Sequence, residues 1–148
     1  MSSITIIKEV KKIFPEYVIM IQSGKFYRVY GKDACIISYL FKYKIQEKEG
    51  TISSGFPSQS IKKVESRLDN KKINYMVLER RDNYSENEKN EFGNLNNYSN
   101  MYEKAKPYAQ SVQRIEKINE YFAEHVKDAN FAEILSKVES AINGKWKV

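Results

Sequence analysis

A chain of 148 residues, 41% hydrophobic and 13% aromatic, can fill one compact core, and its apolar runs fall far short of the roughly 18 residues that would span a bilayer. The single cysteine excludes an internal disulfide and, with a single histidine, a zinc site built from thiolates or imidazoles. The net charge of +6 is unevenly spread: residues 1–81 carry 16 Lys/Arg against 8 Asp/Glu, or +8, and residues 82–148 carry 9 against 11, or −2. Such an excess suits a polyanion, nucleic acid above all, although a lysine-rich solvated surface gives the same balance.

In chain order, Ser3 can cap a first helix running to about Ile13, with Ile6 or Ile7, Val10 and Phe14 on its apolar face and Pro15 as its stop. Lys8, Lys11 and Lys12 interrupt the apolar residues, so the start does not read as a secretory signal, and a cytoplasmic protein is expected. Residues 17–21, YVIMI, read as a buried strand, and after the turn QSGK the run FYRVY reads as its hairpin partner. Asp33 can cap a helix from Ala34 to about Lys42, with Ile37, Leu40 and Phe41 inward. A third strand is expected within residues 43–47, and residues 50–57, with two glycines, three Ser/Thr and a proline, read as loop. Ser58 or Ser60 then opens a helix with Ile61, Val64 and Leu68 on one face, and residues 73–79 form another strand. Strands interleaved with helices give an α/β (α+β) domain over residues 1–81, a mixed sheet flanked by helices.

Residues 82–100 are rich in Asn and charge and read as a linker or surface loop. Beyond them Val112, Ile115, Ile118 or Asn119, Phe122 and Val126 recur at helical spacing, as do Phe131, Ile134 or Leu135, Val138 and Ile142. A helical hairpin over 101–148 follows, with Asn130 and Glu133 placed as a capping box for its second helix. Its apolar stripes must cover something, either the preceding domain, a protein partner or a second copy.

Motifs for catalysis are absent. No GxxxxGK[ST] loop occurs, so phosphate-cradling nucleotide hydrolysis is excluded. His125 stands alone on the first tail helix, and Cys35 opens an apolar helix, where a thiol packs instead of reacting. Glu47, Lys48 and Glu49 could imitate a nuclease's carboxylate and lysine pair, but a further acidic strand residue at suitable spacing is not evident. No metal, cofactor or membrane partner is expected.

The most unusual segment is residues 21–34, IQSGKFYRVYGKDA, with three aromatics and three cations in fourteen residues. With SGFPSQSIKKVESRLDNKKINYMVLER it resembles the N-terminal mismatch-recognition domain, domain I, of the DNA mismatch repair protein MutS. Gly24, Phe26, Tyr27, Tyr30, Asp33 and Ala34 fit the family's first block. Gly55, Pro57, Ile61, Arg67, Leu68, Lys71, Val77 and Glu79 fit its second block without a gap, and the resemblance covers about residues 10–81. In that family the Phe enters the minor groove and stacks on a mispaired base, and a Glu two residues on hydrogen-bonds that base. On a strand, positions i and i+2 share a face, so residues 26 and 28 would meet one base step together.

Arg28 stands where the family has that Glu. A guanidinium only donates, so the family's base contact does not carry over, while contacts to phosphates and minor-groove acceptors do. The family's clamp, lever and ATPase regions have no counterpart here, so a stand-alone non-catalytic module is expected. The resemblance implies DNA binding, to duplex including distorted or mismatched duplex, through Phe26, Arg28, Lys25, Lys32, Tyr27, Lys62, Lys63 and Arg67. The alternative is a protein interaction module that kept the scaffold without DNA. The two readings part on whether Phe26 is exposed beside the cations or buried away from them.

Overall fold

In the computed structural model, which describes residues 2–48, 50–79, 86–93 and 96–143, the chain opens with helix α1 (Ser3–Ile13). Its cap is Ser2, one residue before the expected Ser3: the Ser2 hydroxyl accepts the Thr5 N–H at 3.3 Å. Strands β1 (Val18–Ser23) and β2 (Phe26–Tyr30) form the expected hairpin, with Ile21 opposite Arg28 and Ser23 opposite Phe26. Gly24 turns the chain at φ 63, a left-handed conformation that only glycine adopts without strain.

Helix α2 (Lys32–Phe41) follows, but Asp33 is not its cap. Its carboxylate is buried and accepts hydrogen bonds from Ile19 N–H at 3.1 Å, from Lys11 Nζ at 3.0 Å and from the Tyr98 hydroxyl. A carboxylate with donors from three separate segments gains more in the interior than at a solvated helix end. Burial still pushes the Asp33 carboxyl above its ordinary range, against the pull of Lys11, Tyr98 and the Ile19 amide.

The expected loop over 50–57 is instead strand β4 (Thr51–Pro57), paired antiparallel to β2 and to the short β3 (Gln46–Lys48). Ser54 and Phe56 face inward, the Ser54 hydroxyl donating to the Lys44 carbonyl at 2.8 Å, so a strand between two others tolerates this glycine and serine content. A single 3-10 turn (Ser58–Ser60) leads into α3 (Ile61–Lys71); neither serine makes a side-chain cap. Strand β5 (Tyr75–Leu78) lies parallel to β1 with all four residues buried.

The expected linker over 82–100 holds a sixth strand, β6 (Glu86–Asn90), antiparallel to β5 and irregular at Val77/Leu78. The part of that linker over 82–85 and 94–95 lies outside the described residues. Helix α4 (Asn96–His125) begins earlier than expected and runs through Pro107. Tyr98, Ala105 and Ala109 are buried on it, and this packing outweighs the ladder bond that a proline deletes.

The sheet order is β3-β4-β2-β1-β5-β6. One face carries Ile19, Ile21, Met76 and Leu78 under Ile7 of α1. The other packs Val18, Met20, Tyr27 and Val29 against Ile36 and Ile37 of α2, Val64 and Leu68 of α3, and Tyr98 and Ala105 of α4.

The chain divides into two compact units, Met1–Val112 and Gln113–Val148. The second holds the end of α4 and α5 (Phe131–Ala141), where Phe122 meets Phe131 edge to face at 5.6 Å between ring centroids. Asn130 precedes α5 without making the expected side-chain cap. Ile115, Ile118, Val126 and Val138 of this unit are exposed.

Candidate nucleic-acid interface

Alternation along β2 sorts its five side chains. Tyr27 and Val29 enter the core, while Phe26, Arg28 and Tyr30 face the other side of the sheet. Phe26, at the strand's end, is 50% exposed between its cross-strand neighbours Ser23 and Pro57. Leaving half a phenylalanine in water forgoes about 1 kcal/mol of burial. The turn that carries it is fixed, because the Ser58 N–H donates to the Lys25 carbonyl at 2.8 Å and ties the hairpin tip to the end of β4. Lys25, the residue before it in the turn, is exposed.

Arg28 lies two residues along, about 7 Å from Phe26 by strand rise. Its partner across β4 is Gly55, and the side chain lies flat on it. A Cβ at Gly55 would meet Arg28 Cγ at 3.7 Å, its Nη1 at 3.9 Å and the Tyr27 carbonyl oxygen at 3.1 Å. The absence of a side chain at 55 therefore gives the arginine its bed. Beyond it Arg28 lines a trough floored by Thr51 and Ser53 and bordered by Gln46, Lys48 and the first residues of α1. None of the described lining side chains is acidic, and the free N–H groups opening α1 add partial positive charge. The surface presents one aromatic face, hydrogen-bond donors and cations, which suits base edges and phosphate oxygens.

Of the eight residues expected to meet DNA, the fold brings three together: Phe26, Lys25 and Arg28. Tyr27 is buried at 4% exposure, stacks on Phe56 and donates its hydroxyl to Glu79 Oε1 at 3.3 Å. Burial, then Glu79, pushes that hydroxyl up to about 12, so Tyr27 is a core residue and not a contact. Lys32 sits past the far end of β2, its Nζ 5.0 Å from the centre of the Tyr102 ring, away from Phe26. Lys62 is held by carboxylates, with Nζ 3.5 Å from Glu65 Oε1 and 3.7 Å from Glu88 Oε2. Lys63 and Arg67 are exposed on α3, which covers the opposite face of the sheet. Thr51 and Ser53 were missed because 50–57 reads as loop, which also hid the partner strand that brings Gln46 and Lys48 to the trough. The period-two placement of Ser54 and Phe56 was the signal that could have revealed that strand.

Elsewhere the described residues offer little reactive chemistry. Cys35 is buried, and burial followed by Asp33 pushes its thiol up, which disfavours the nucleophilic thiolate. His125 Nδ1 lies 2.7 Å from Asp128 Oδ2 on the surface. Among the described residues no group of three His, Cys, Asp or Glu could hold a metal ion, and no helix is long and apolar enough to cross a membrane. No curated protein matches the chain. The family model for MutS domain I matches residues 3–105, a span that runs from α1 through all six strands into α4, and the chain belongs to that family of non-catalytic recognition modules.

Proposed function

We propose that the protein binds duplex DNA through the exposed face of β2 at its hairpin tip, with Phe26 as a wedge at a base step and Lys25, Arg28 and Lys48 on the flanking backbone. The observation that carries this reading is Phe26 itself, half exposed on a fixed hairpin tip and on the same face as Arg28. Leaving half the ring in water forgoes about 1 kcal/mol of burial, whereas wedge-inserting proteins need the ring exposed. The trough beside it receives the phosphate backbone. Arg28 donates to phosphate or to minor-groove acceptors, and the module does not read a mismatched base as a carboxylate would. The exposed apolar residues of the C-terminal helices support a protein partner or self-association there, beside DNA binding and not in its place.

The test is a titration of homoduplex and mismatched duplex at several salt concentrations. Affinity in roughly the micromolar to 0.1 mM range is expected, falling by about 0.9 log units per log salt for each phosphate neutralised. Absence of duplex binding at low salt would refute the reading.

A further inference from the structure

A second cationic surface lies on the side of the sheet away from Phe26. Two adjoining depressions over α2, α3 and the first part of α4 share Leu40, Lys42 and Arg67. Lys63 extends one, and Lys71 and Lys104 extend the other. All five cations are exposed, none is ion-paired among the described residues, and no acidic side chain lines either depression. Lys63, Arg67 and Lys71 repeat every fourth residue, a row that rises about 6 Å per step along α3. The acidic residues of the same helix are turned elsewhere, Glu65 into the interior and Asp69 to accept from Asn90 Nδ2 at 2.7 Å. Lys42 ends α2 at φ 62, a left-handed position where glycine is the strain-free residue, and so holds a cation at the centre of the groove.

Aromatic rings lie among these charges. Tyr39, 38% exposed, meets Tyr108 edge to face with ring centroids 5.6 Å apart. A duplex hides its base faces and would leave that pair unused. A single strand offers both the repeated phosphates and the free base faces. We infer that this groove binds a single-stranded nucleic-acid segment, with Lys42, Lys63, Arg67, Lys71 and Lys104 along its phosphates and the Tyr39–Tyr108 pair as a stacking platform. The inference does not rest on the Phe26 face of β2, because the two surfaces lie on opposite faces of the sheet.

Binding of a fluorescent oligothymidylate to the full chain, followed by anisotropy against salt, tests it. In the variant Lys63→Gln with Arg67→Gln, the slope of log affinity against log salt should become shallower by roughly 1.4, about 0.7 for each cation removed. Tyr39→Ala should weaken the same complex by about tenfold or more with the slope unchanged. Phe26→Ala should leave oligothymidylate binding intact, so a failure of duplex binding and a failure here are read separately. Both glutamines replace exposed residues, and circular dichroism melting confirms that the variant is folded. The inference is overturned if the wild-type chain does not bind oligothymidylate, or if the double variant binds it with unchanged slope. Displacement of the oligonucleotide by poly-glutamate at matched charge concentration would overturn it too, in favour of an acidic protein segment.

Discussion

Replacing Phe26 with alanine separates a side chain that holds the fold from one that meets a ligand. A fully buried phenylalanine truncated to alanine costs about 3 to 5 kcal/mol, through lost burial and the cavity left behind. Phe26 is 50% exposed at a strand end, so there is no enclosed cavity to leave, and half the burial of such a side chain is worth about 1 kcal/mol. Stacking of an aromatic on a base is worth about 1 to 3 kcal/mol. The variant should therefore unfold in denaturant only about 1 kcal/mol more easily, while duplex affinity measured by anisotropy at constant salt falls by roughly fivefold to a hundredfold. The salt slope should stay the same, since no charge is removed. A stability loss of 3 kcal/mol or more with unchanged affinity would refute the wedge and assign the ring to packing.

Arg28→Glu puts a hydrogen-bond-accepting carboxylate two residues from Phe26; total duplex affinity should fall as a cation becomes an anion, while the ratio of mismatched to matched affinity rises, and an unchanged ratio would refute the role assigned to this position. Asp33→Ala removes the acceptor shared by Lys11, Tyr98 and the Ile19 amide. The cost in denaturant unfolding should be about 3 kcal/mol, at the low end for a buried pair because Lys11 also donates to the Tyr17 carbonyl at 2.6 Å. Glu65 is pushed from 4.5 to about 7, by burial first and then by the neighbouring Glu88 carboxylate. The native state therefore binds this proton more tightly than the unfolded chain, a stabilisation complete below pH 4.5 and lost as pH rises through about 7. The melting temperature should fall across that window, and Glu65→Gln, neutral at every pH, should flatten the fall; an equal slope in both proteins would refute the assignment.

The parts of the fold that local chemistry specifies were legible in the sequence. The apolar run of β1, the glycine turn and the alternation of β2 needed no distant partner to be recognised, and the same alternation placed Phe26 and Arg28 on one face. Strand β4 was not legible, because Ser53, Ser54, Gly55 and Pro57 have turn chemistry and become a strand only between the ladders of β2 and β3. Strand β6, ENEKN, has no apolar pattern, and its pairing comes from the β5 edge. Pro107 and the asparagines before it concealed the start of α4. Within the site, the facing of Tyr27, the carboxylates around Lys62 and the distance of Lys32 all depend on contacts between residues far apart in the chain, which spacing does not encode. Asp33 shows the difference most plainly, since its position before a helix predicted a cap and its partners made it a buried acceptor.

That buried carboxylate also orders events during synthesis. Strands β1, β2, β4 and β3 are joined by antiparallel neighbours and can zip progressively as they emerge. The Tyr98 hydroxyl that completes the Asp33 site comes from 65 residues further on. Closing so long a segment carries a chain-entropy cost that local hairpins do not meet, so such contacts form late. A nascent chain that has exposed Asp33 but not yet Asn96 lacks the Tyr98 donor for that carboxylate, and its α2 face has no cover from α4. The interval between those two points in translation is when this domain is most open to proteases and to association with other unfinished chains.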